Sequence, residues 1–552
     1  MMTGEHKMAA AGQTVKARGL LMKTAACSPG AASRWFFIMV ACLTGCSAAA
    51  ENPSVPLRST TLEPDAQGRA LAVNDGFIVP SATAAVEHVI ACETGGWAQR
   101  LVAVPGLGAE RVFAVPAFGP DGRAASALFA PWPTDDWLVG ERRGRRAVLR
   151  LPGSRNLDGW GDPLFAKQGW ERVEVSPERA EAERRRFDGG GNVLASPPLP
   201  GFPHGRLLVG RSLQQDIKDY FRHQRIQAGP DGKLLEIDTD WLKVGHVDEI
   251  LAFVGAPGQP GFRVVLPDFE AGLRLLDSAP VERALFYAHS SAETAGSVTG
   301  AGARLIETAA PGLPAGKWKY VRIISGTGAG QVARIHKVEG RRITIDFVWD
   351  LRGTEVSQVV AAARAGRCET MPIWLETPDA TSRFVAVEDA KMWRDGAGQE
   401  FPALVTAGEL AHDSALRKTA KRCTARLRAK GTGIPAALEA LGIGDDAVLR
   451  LPVIFSADEQ GECAGALLPN PVNLVPLDND VVLLRPFGPR GDPADDDSDL
   501  FALAWRAALQ RGSSRPLFLD GWDALHRGDG GAHCGTNVIR RPGGSTRDDC
   551  KH

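Results

Sequence analysis

Strand-length apolar runs recur along this chain, each ended within a few residues by glycine, proline or charge, and they alternate with stretches of helical period. Val86–Ala91, Arg111–Val115, Leu207–Gly210 and Leu234–Ile237 read as strands. Gln214–Gln227, with Ile217, Tyr220 and Phe221 on one face, reads as a helix, as does Leu500–Gln510. Val448–Phe455 and Leu517–Leu519 extend the strand series. Leu416–Leu427 and Ile434–Leu441 extend the helical one, with Gly442 as a stop. Such alternation predicts an α/β body. The 62 glycines and 37 prolines among 552 residues predict many loops, and 44% apolar residues suffice for a core. A formal charge of −1 offers no basic surface, so nucleic acid is not an expected partner.

The first segment reads as an address. Trp35–Leu43 is apolar but short for a bilayer span, with Lys23 and Arg34 upstream, and Met22 is a plausible start. It ends in Leu43-Thr44-Gly45-Cys46, the form of a bacterial lipobox, in which the cysteine is lipidated and becomes the first residue. Ser47 then suggests outer-membrane sorting. The expected organisation is a lipoprotein signal over 1–45, a polar tether over 46–72 and a body over 73–552. The chain would be exported and lipid-anchored in the outer membrane of a Gram-negative bacterium, facing the periplasm or the cell surface. It would touch the membrane through that anchor only. Export implies an oxidising compartment, so Cys92, Cys368, Cys423, Cys463 and Cys550 are candidates for disulfides. No CxxC spacing exists, which disfavours zinc and dithiol redox chemistry.

Two distant stretches carry chemistry. In His533-Cys534-Gly535 a cysteine beside histidine sits before a residue that permits a tight turn. Its thiolate would be the nucleophile, since an adjacent imidazole can lower a thiol pKa. In Asp240-Trp241-Leu242-Lys243-Val244-Gly245-His246-Val247-Asp248-Glu249, His246 and Asp248 are two apart, and on an extended segment they share a face.

Together these stretches resemble the protein-arginine deiminases, whose DWLxVGHVDE carries a histidine and a guanidinium-binding aspartate and whose HCGTNV carries the nucleophile. Gly191–Pro198 resembles the family's GNLEVSPP, Asn470–Asn473 its PNxVN, Pro486–Pro489 its PFGP, and Ser154–Asn156 its SPRN. The resemblance implies the pentein fold, ββαβ modules around a pseudo-five-fold axis with the site at the axis. It implies hydrolysis of arginine in a protein or peptide to citrulline and ammonia. Cys534 would attack the guanidinium carbon, His246 would serve as acid and base, and Asp248 would hold the charge. A hydrolase of free arginine or agmatine shares the fold and is the competing reading.

The resemblance breaks at the family's RWIQDE. Placed on Trp137-Leu138-Val139-Gly140-Glu141, it leaves Gly140 where a guanidinium-binding aspartate is expected. A planar guanidinium favours two carboxylates, so Asp135, Asp136 or Glu141 would have to substitute. Otherwise the chain is an impaired relative that only binds. Trp137, Asp136, Glu141 and Arg527 are the expected further substrate contacts. Val139, Arg143 and Leu194 stand where the family has calcium ligands, so no metal cofactor is expected and calcium independence is. Within about 290–400 the resemblance fades. Tyr320–Ser325, Gly330–Val338 and Arg342–Val348 predict a small inserted β module. Its Gly326–Gly330 lacks the lysine and following helix of a phosphate-binding loop.

Overall fold

A computed structural model describes residues 59–61 and most of 76–541. The segments 116–131, 152–161, 176–184 and 363–369 and some shorter gaps lie outside it. Cys46, Cys368, Cys550 and Ser154–Asn156 therefore fall outside the described residues.

Five small sheets share one connectivity. In each, a first strand runs antiparallel to a middle strand, a helix follows the middle strand, and a third strand lies parallel to the middle one. Module two uses Trp137–Arg142, Arg145–Arg150, the helix Asp162–Gln168 and Glu171–Glu174. Module three uses Val193–Ala195, Leu207–Gly210, the helix Gln215–Gln224 and Leu235–Ile237. Module four uses Ala252–Gly255, Phe262–Asp268, the helix Phe269–Ser278 and, much later, Val448–Pro452. Module five uses Val475–Leu477, Asp480–Leu484, the helix Leu500–Arg511 and Arg515–Leu519. Module one is closed by the two ends of the body. Thr536–Arg540 is its first strand, and Val86–Cys92, the helix Trp97–Val102 and Val112–Val115 complete it. This is the ββαβ repeat of the pentein fold.

The repeat follows from elementary constraints. Parallel neighbours cannot be joined by a tight turn, so each middle-to-third connection needs a crossover, and a helix supplies it. The helix covers the sheet, so short strands are buried on both faces: all four residues of Leu207–Gly210 are buried. Helix Gln215–Gln224 buries Ile217, Tyr220 and Phe221, the stripe its spacing predicts. Helix Phe269–Ser278 is capped by Asp268, whose carboxylate accepts from the Ala271 N–H at 2.7 Å. Asp499 caps Leu500–Arg511 through the Phe501 and Ala502 N–H groups, and burial pushes its carboxyl up to about 6.

Between the helix and third strand of module four lies the insertion. Glu293–Gly302, Leu305–Thr308, Tyr320–Ser325, Gln331–Glu339, Arg342–Asp350 and Arg383–Val387 form a closed barrel, shut where Leu305–Thr308 pairs with Arg342–Asp350. It has its own core, including Ile306, Val321, Ile323, Ile343 and Phe384. Gly326–Gly330 is the turn between two of its strands, with positive φ at Gly326, Gly328 and Gly330, and no helix follows. The chain returns through the hairpin Met392–Arg394/Glu400–Pro402 and helices Ser414–Leu427 and Ile434–Ala440.

Three expectations are corrected. Val448–Phe455 is not one strand but two, Val448–Pro452 and Phe455–Ala457, which join different sheets. Ser59–Thr61, inside the stretch read as a tether, adds as a parallel edge strand to Glu171–Glu174. Cys92, Cys423 and Cys463 are free thiols rather than disulfides. Burial pushes Cys92 and Cys423 up to about 12, which makes both inert. No helix among the described residues is long and apolar enough to cross a membrane.

Candidate active site

Each module is led into its first strand by a short segment, and these five segments meet. They are the helical turn Pro133–Asp136, the turn Gly190–Asn192, the turn Val247–Glu249, the loop 470–474 and the turn 531–535. A ring of hydrogen bonds joins them in order. Thr134 Oγ1 donates to the His533 carbonyl at 2.8 Å, linking modules two and one. The Gly191 N–H donates to Asp135 Oδ1 at 3.3 Å, linking three and two. The Val247 N–H donates to Asn192 Oδ1 at 3.1 Å, linking four and three. Asn470 Nδ2 donates to the Glu249 carbonyl at 2.8 Å, linking five and four. The His533 N–H donates to Asn473 Oδ1 at 2.9 Å and closes the ring.

Cys534, His246 and Asp248 all lie on this ring, each only 3% exposed. Cys534 Sγ accepts from Asn473 Nδ2 at 3.2 Å and stands 3.7 Å from Asp248 Oδ2. Asp248 Oδ2 also accepts from His533 Nδ1 at 2.8 Å. Asp248 Oδ1 is buried and has no hydrogen-bond partner among the described residues. His246 Nε2 donates to the Arg186 carbonyl at 2.7 Å, and its Nδ1 lies 3.3 Å from Asp135 Oδ1, at ion-pair distance but off the hydrogen-bonding angle.

His246 and Asp248 do not lie on an extended segment, as the spacing alone suggests. His246 is extended and caps a single 3₁₀ turn, Val247–Glu249, whose Glu249 side chain accepts from the His246 N–H at 2.9 Å. The turn brings both side chains to the same spot. A Cβ on Gly191 would stand 2.7 Å from His246 Nδ1, 2.8 Å from Asp248 Oδ2 and 2.9 Å from Asp135 Oδ1. A glycine is required there because the polar groups converge on that point.

The electrostatics follow from burial and crowded carboxylates. Burial alone would pull His246 down, but Asp135, Asp248 and Glu249 outweigh it and raise the imidazole to about 9. Burial raises Glu249 to about 7 against its backbone hydrogen bonds. Burial, then the charges of Asp248 and Asp135, push the Cys534 thiol well up. The pocket thus holds an imidazolium, a protonated thiol and two carboxylates. A planar cation would neutralise those carboxylates and ease ionisation of the thiol.

The carboxylate that stands with Asp248 around His246 is that of Asp135, 3.3 Å from His246 Nδ1, and Gly140 lies elsewhere. Gly140 pairs with Ala147 inside the sheet of module two, and a Cβ there would strike the Ile78 carbonyl at 2.4 Å and the Phe77 ring at 2.7 Å. Trp132-Pro133-Thr134-Asp135-Asp136 fits the W-x-x-D-acid spacing of RWIQDE five residues earlier, and that register would have found Asp135. The other expected contacts have different roles. Trp137 packs edge-on against Phe165, and its carbonyl accepts from Asn537 Nδ2 at 2.6 Å. Glu141 lies further along that strand, opposite Ile78, and Asp136 is buried beside Asp135. Arg527 is held by Asp523 at 2.8 Å and Glu400 at 3.1 Å rather than aimed into the pocket. Asn473 and Gly191 stand in stretches that were matched to the family without a role for either residue.

Calcium does not fit the donors present. Leu194 is a buried apolar side chain, and in the corrected register Leu138, also buried and apolar, takes the place first given to Arg143. In the corrected register the residues flanking Asp135 are Thr134 and Asp136, and Thr134 Oγ1 is spent on carbonyls of His533 and Thr536.

The sequence model described as "Protein-arginine deiminase (PAD)" matches residues 143–299 and 402–544, together more than half of the chain. The type-3 protein-arginine deiminase of Rattus norvegicus is 32% identical over 158 residues, 26% of this chain and 23% of that protein. The type-4 protein-arginine deiminase of the same organism is 34% identical over 168 residues, 27% of this chain and 24% of that protein. The match thus spans about a quarter of these relatives' length. Among solved structures, an agmatine deiminase of Enterococcus faecalis aligns with a TM-score of 0.34 and 10% identity over 85% of this chain and 96% of that one.

Proposed function

Since this chain belongs to the protein-arginine deiminase family, we propose that it hydrolyses the guanidinium of arginine in a protein or peptide to citrulline and ammonia. The observation that carries the reading is the pairing of an unsatisfied buried oxygen, Asp248 Oδ1, with a second carboxylate, Asp135, around a buried cysteine. Buried oxygens without partners are costly, and a guanidinium supplies several N–H donors in one plane.

In this reading the guanidinium binds between Asp248 and Asp135. Its charge offsets theirs, and Cys534 loses its proton to solvent. Sγ attacks the guanidinium carbon, forming a C–S bond. His246, protonated to about pH 9, gives its proton to one terminal nitrogen as the C–N bond breaks, and neutral ammonia leaves. The neutral imidazole then takes a proton from water as the water oxygen attacks the thiouronium carbon. The C–S bond breaks, the departing thiolate takes up the remaining hydroxyl proton, and citrulline is released. Asn473, whose amide bridges the Cys534 N–H and Sγ, holds the nucleophile in line. We propose further that turnover needs no calcium. We also propose that the chain is exported and held at a membrane by a lipid on Cys46, a reading that rests on the Leu43–Cys46 sequence.

Citrulline formation by the chain from Ser47 onward tests this. A blocked arginine ester, an arginine peptide and free arginine would each be offered with calcium and with chelator, beside Cys534→Ala. Turnover of the blocked or peptide substrate, indifferent to chelator and absent from Cys534→Ala, is expected. Turnover of free arginine alone would move the assignment to a small-molecule hydrolase. No turnover under reducing conditions, with peptide binding retained, would make the chain a binding protein.

A further inference from the structure

The cavity that opens onto Cys534 has the form of a mouth, and its wall is not held by the body alone. Cys534 and Gly531 lie at its base, His526 and Gly530 along one wall, and Lys243 and Asp529 at its rim, where they form an ion pair at 2.7 Å. His526, Asp529, Gly530 and Gly531 belong to one short segment that leads into the cysteine. That segment contains no strand and a single 3₁₀ turn, His526–Gly528. Asp529 ends the turn at a φ of 63°, a conformation that a non-glycine residue keeps when its surroundings fix it.

The insertion supplies part of that fixing. Only Glu388–Ala390 separate the barrel strand Arg383–Val387 from Lys391, and the hairpin Met392–Arg394/Glu400–Pro402 follows. Glu388 ties this exit to the barrel by accepting from the Ala292 and Lys317 N–H groups, each at 3.2 Å. Lys391 is buried. Its Nζ donates to Asp520 Oδ2 at 2.6 Å and stands 4.4 Å from the centre of the Phe487 ring. Asp520 Oδ1 accepts from the Trp522 N–H at 3.1 Å, and Trp522 Nε1 donates to the Met392 carbonyl at 2.8 Å. Trp522 is fully buried among Phe286, Trp393 and Phe487, and its ring centre lies 4.7 Å from that of His526 in the mouth. Glu400 reaches Arg527, the next residue, at 3.1 Å. The hairpin therefore grips the chain at Asp520, Trp522 and Arg527, just before the mouth. Cys534 is fixed separately, by Asn473 of module five.

We propose that this hairpin is a positioning element for peptide substrates. Through Lys391 and Glu400 it holds the wall formed by 526–531 in the shape that receives the residues beside the target arginine, and so sets how tightly a peptide binds. This rests on the deimination reading. An arginine whose guanidinium reaches Cys534 leaves its main chain and its neighbours at the rim, against Lys243 and Asp529. A wall made from a glycine-containing loop binds weakly if it must be ordered on each encounter, because that ordering costs conformational entropy. A buried lysine and a buried tryptophan, both bonded across to the segment, supply the order in advance. The insertion thus acts on binding without touching the substrate, while the chemical step stays with groups held by the ring.

Loosening the hairpin tests the proposal. Lys391→Met keeps an apolar stem over Phe487 and removes the charge that Asp520 accepts. For an arginine peptide KM should rise ~10-fold with kcat within about twofold of wild type, whereas for a blocked arginine ester, which brings no neighbouring residues, KM should rise less than ~3-fold. Lys391→Arg, which keeps the charge, should stay near wild type. Adding Asp520→Asn to Lys391→Met should change little more, as for two residues in one contact. Glu400→Gln, at an exposed position, should raise the peptide KM ~3-fold, and it carries the test if Lys391→Met proves unfolded in a thermal melt. An unchanged peptide KM in the folded variants, or a loss that falls equally on peptide and ester, overturns the positioning role and leaves deimination standing. A wild type that makes no citrulline from either substrate overturns deimination, and the positioning role with it.

Discussion

The pentein body and the inserted barrel are built on opposite plans. The barrel closes through its own backbone, when Leu305–Thr308 pairs with Arg342–Asp350. Its fully buried arginine is satisfied: Arg322 donates to Glu409 at 2.6–3.0 Å and to the Leu404 carbonyl at 3.2 Å. The body is five separate sheets, and among the links closing it at the axis is a ring of hydrogen bonds between lead-in segments. There a buried carboxylate oxygen, Asp248 Oδ1, has no hydrogen-bond partner among the described residues. The satisfied Arg322 holds structure, whereas Asp248 Oδ1 on the axis is an acceptor suited to the donors of a cation.

That contrast can be broken by substitution, starting where the effect should be largest. Gly191→Ala places a methyl at the point where three polar groups converge, so citrulline formation should drop ~100-fold or more while the melting temperature changes little. An active Gly191→Ala would show that the guanidinium binds elsewhere. Asp135→Asn should lose ~10–100-fold in kcat/KM, the worth of one hydrogen bond to a charged group. Gly140→Asp should rescue neither this variant nor wild type, and should lower stability by striking Ile78 and Phe77. A gain of activity in Gly140→Asp would restore the register that the structure rejects.

The effect of pH is smaller and has a definite sign. Burial favours protonated Glu249 in the fold, so stability should decline as pH rises from its ordinary 4.5 to about 7. The raised His246 contributes stability that is full below 6.5 and lost as pH rises through about 9. Denaturation midpoints should therefore fall across both windows, and Glu249→Gln should flatten the first. A midpoint rising between these limits would contradict the charge arrangement. The smallest effect on activity is expected in the barrel. Arg322→Met should cost about 3 kcal/mol of stability by stranding Glu409, with kcat unchanged in the protein that remains folded.

The same contrast explains what the sequence discloses. Cys534, His246 and Asp248 are legible because each sits in a contiguous turn whose residues all serve the ring, so a long exact string survives around them. Asp135 is named only as one of three substitutes for Gly140, because tryptophan occurs three residues before it and again three before Gly140, and only the strand Trp137–Arg142 decides between the two registers. The alternation of strands and helices is visible, but the closing pair is not: Val86–Cys92 and Thr536–Arg540 lie at opposite ends of the body. In the barrel, three strands show apolar alternation. Glu293–Gly302, rich in glycine and small polar residues, does not, although it pairs on both edges.

The central claim is that Cys534 is the nucleophile toward a guanidinium held by Asp248 and Asp135. Rapid-quench mass spectrometry of the wild type turning over an arginine peptide, with peptide mapping, tests it most directly. The account predicts a transient thiouronium adduct on Cys534, diminished in Asp135→Asn and absent from Cys534→Ala, which should also form no citrulline. Citrulline formation that persists in Cys534→Ala, or an adduct that maps to another residue, would contradict it.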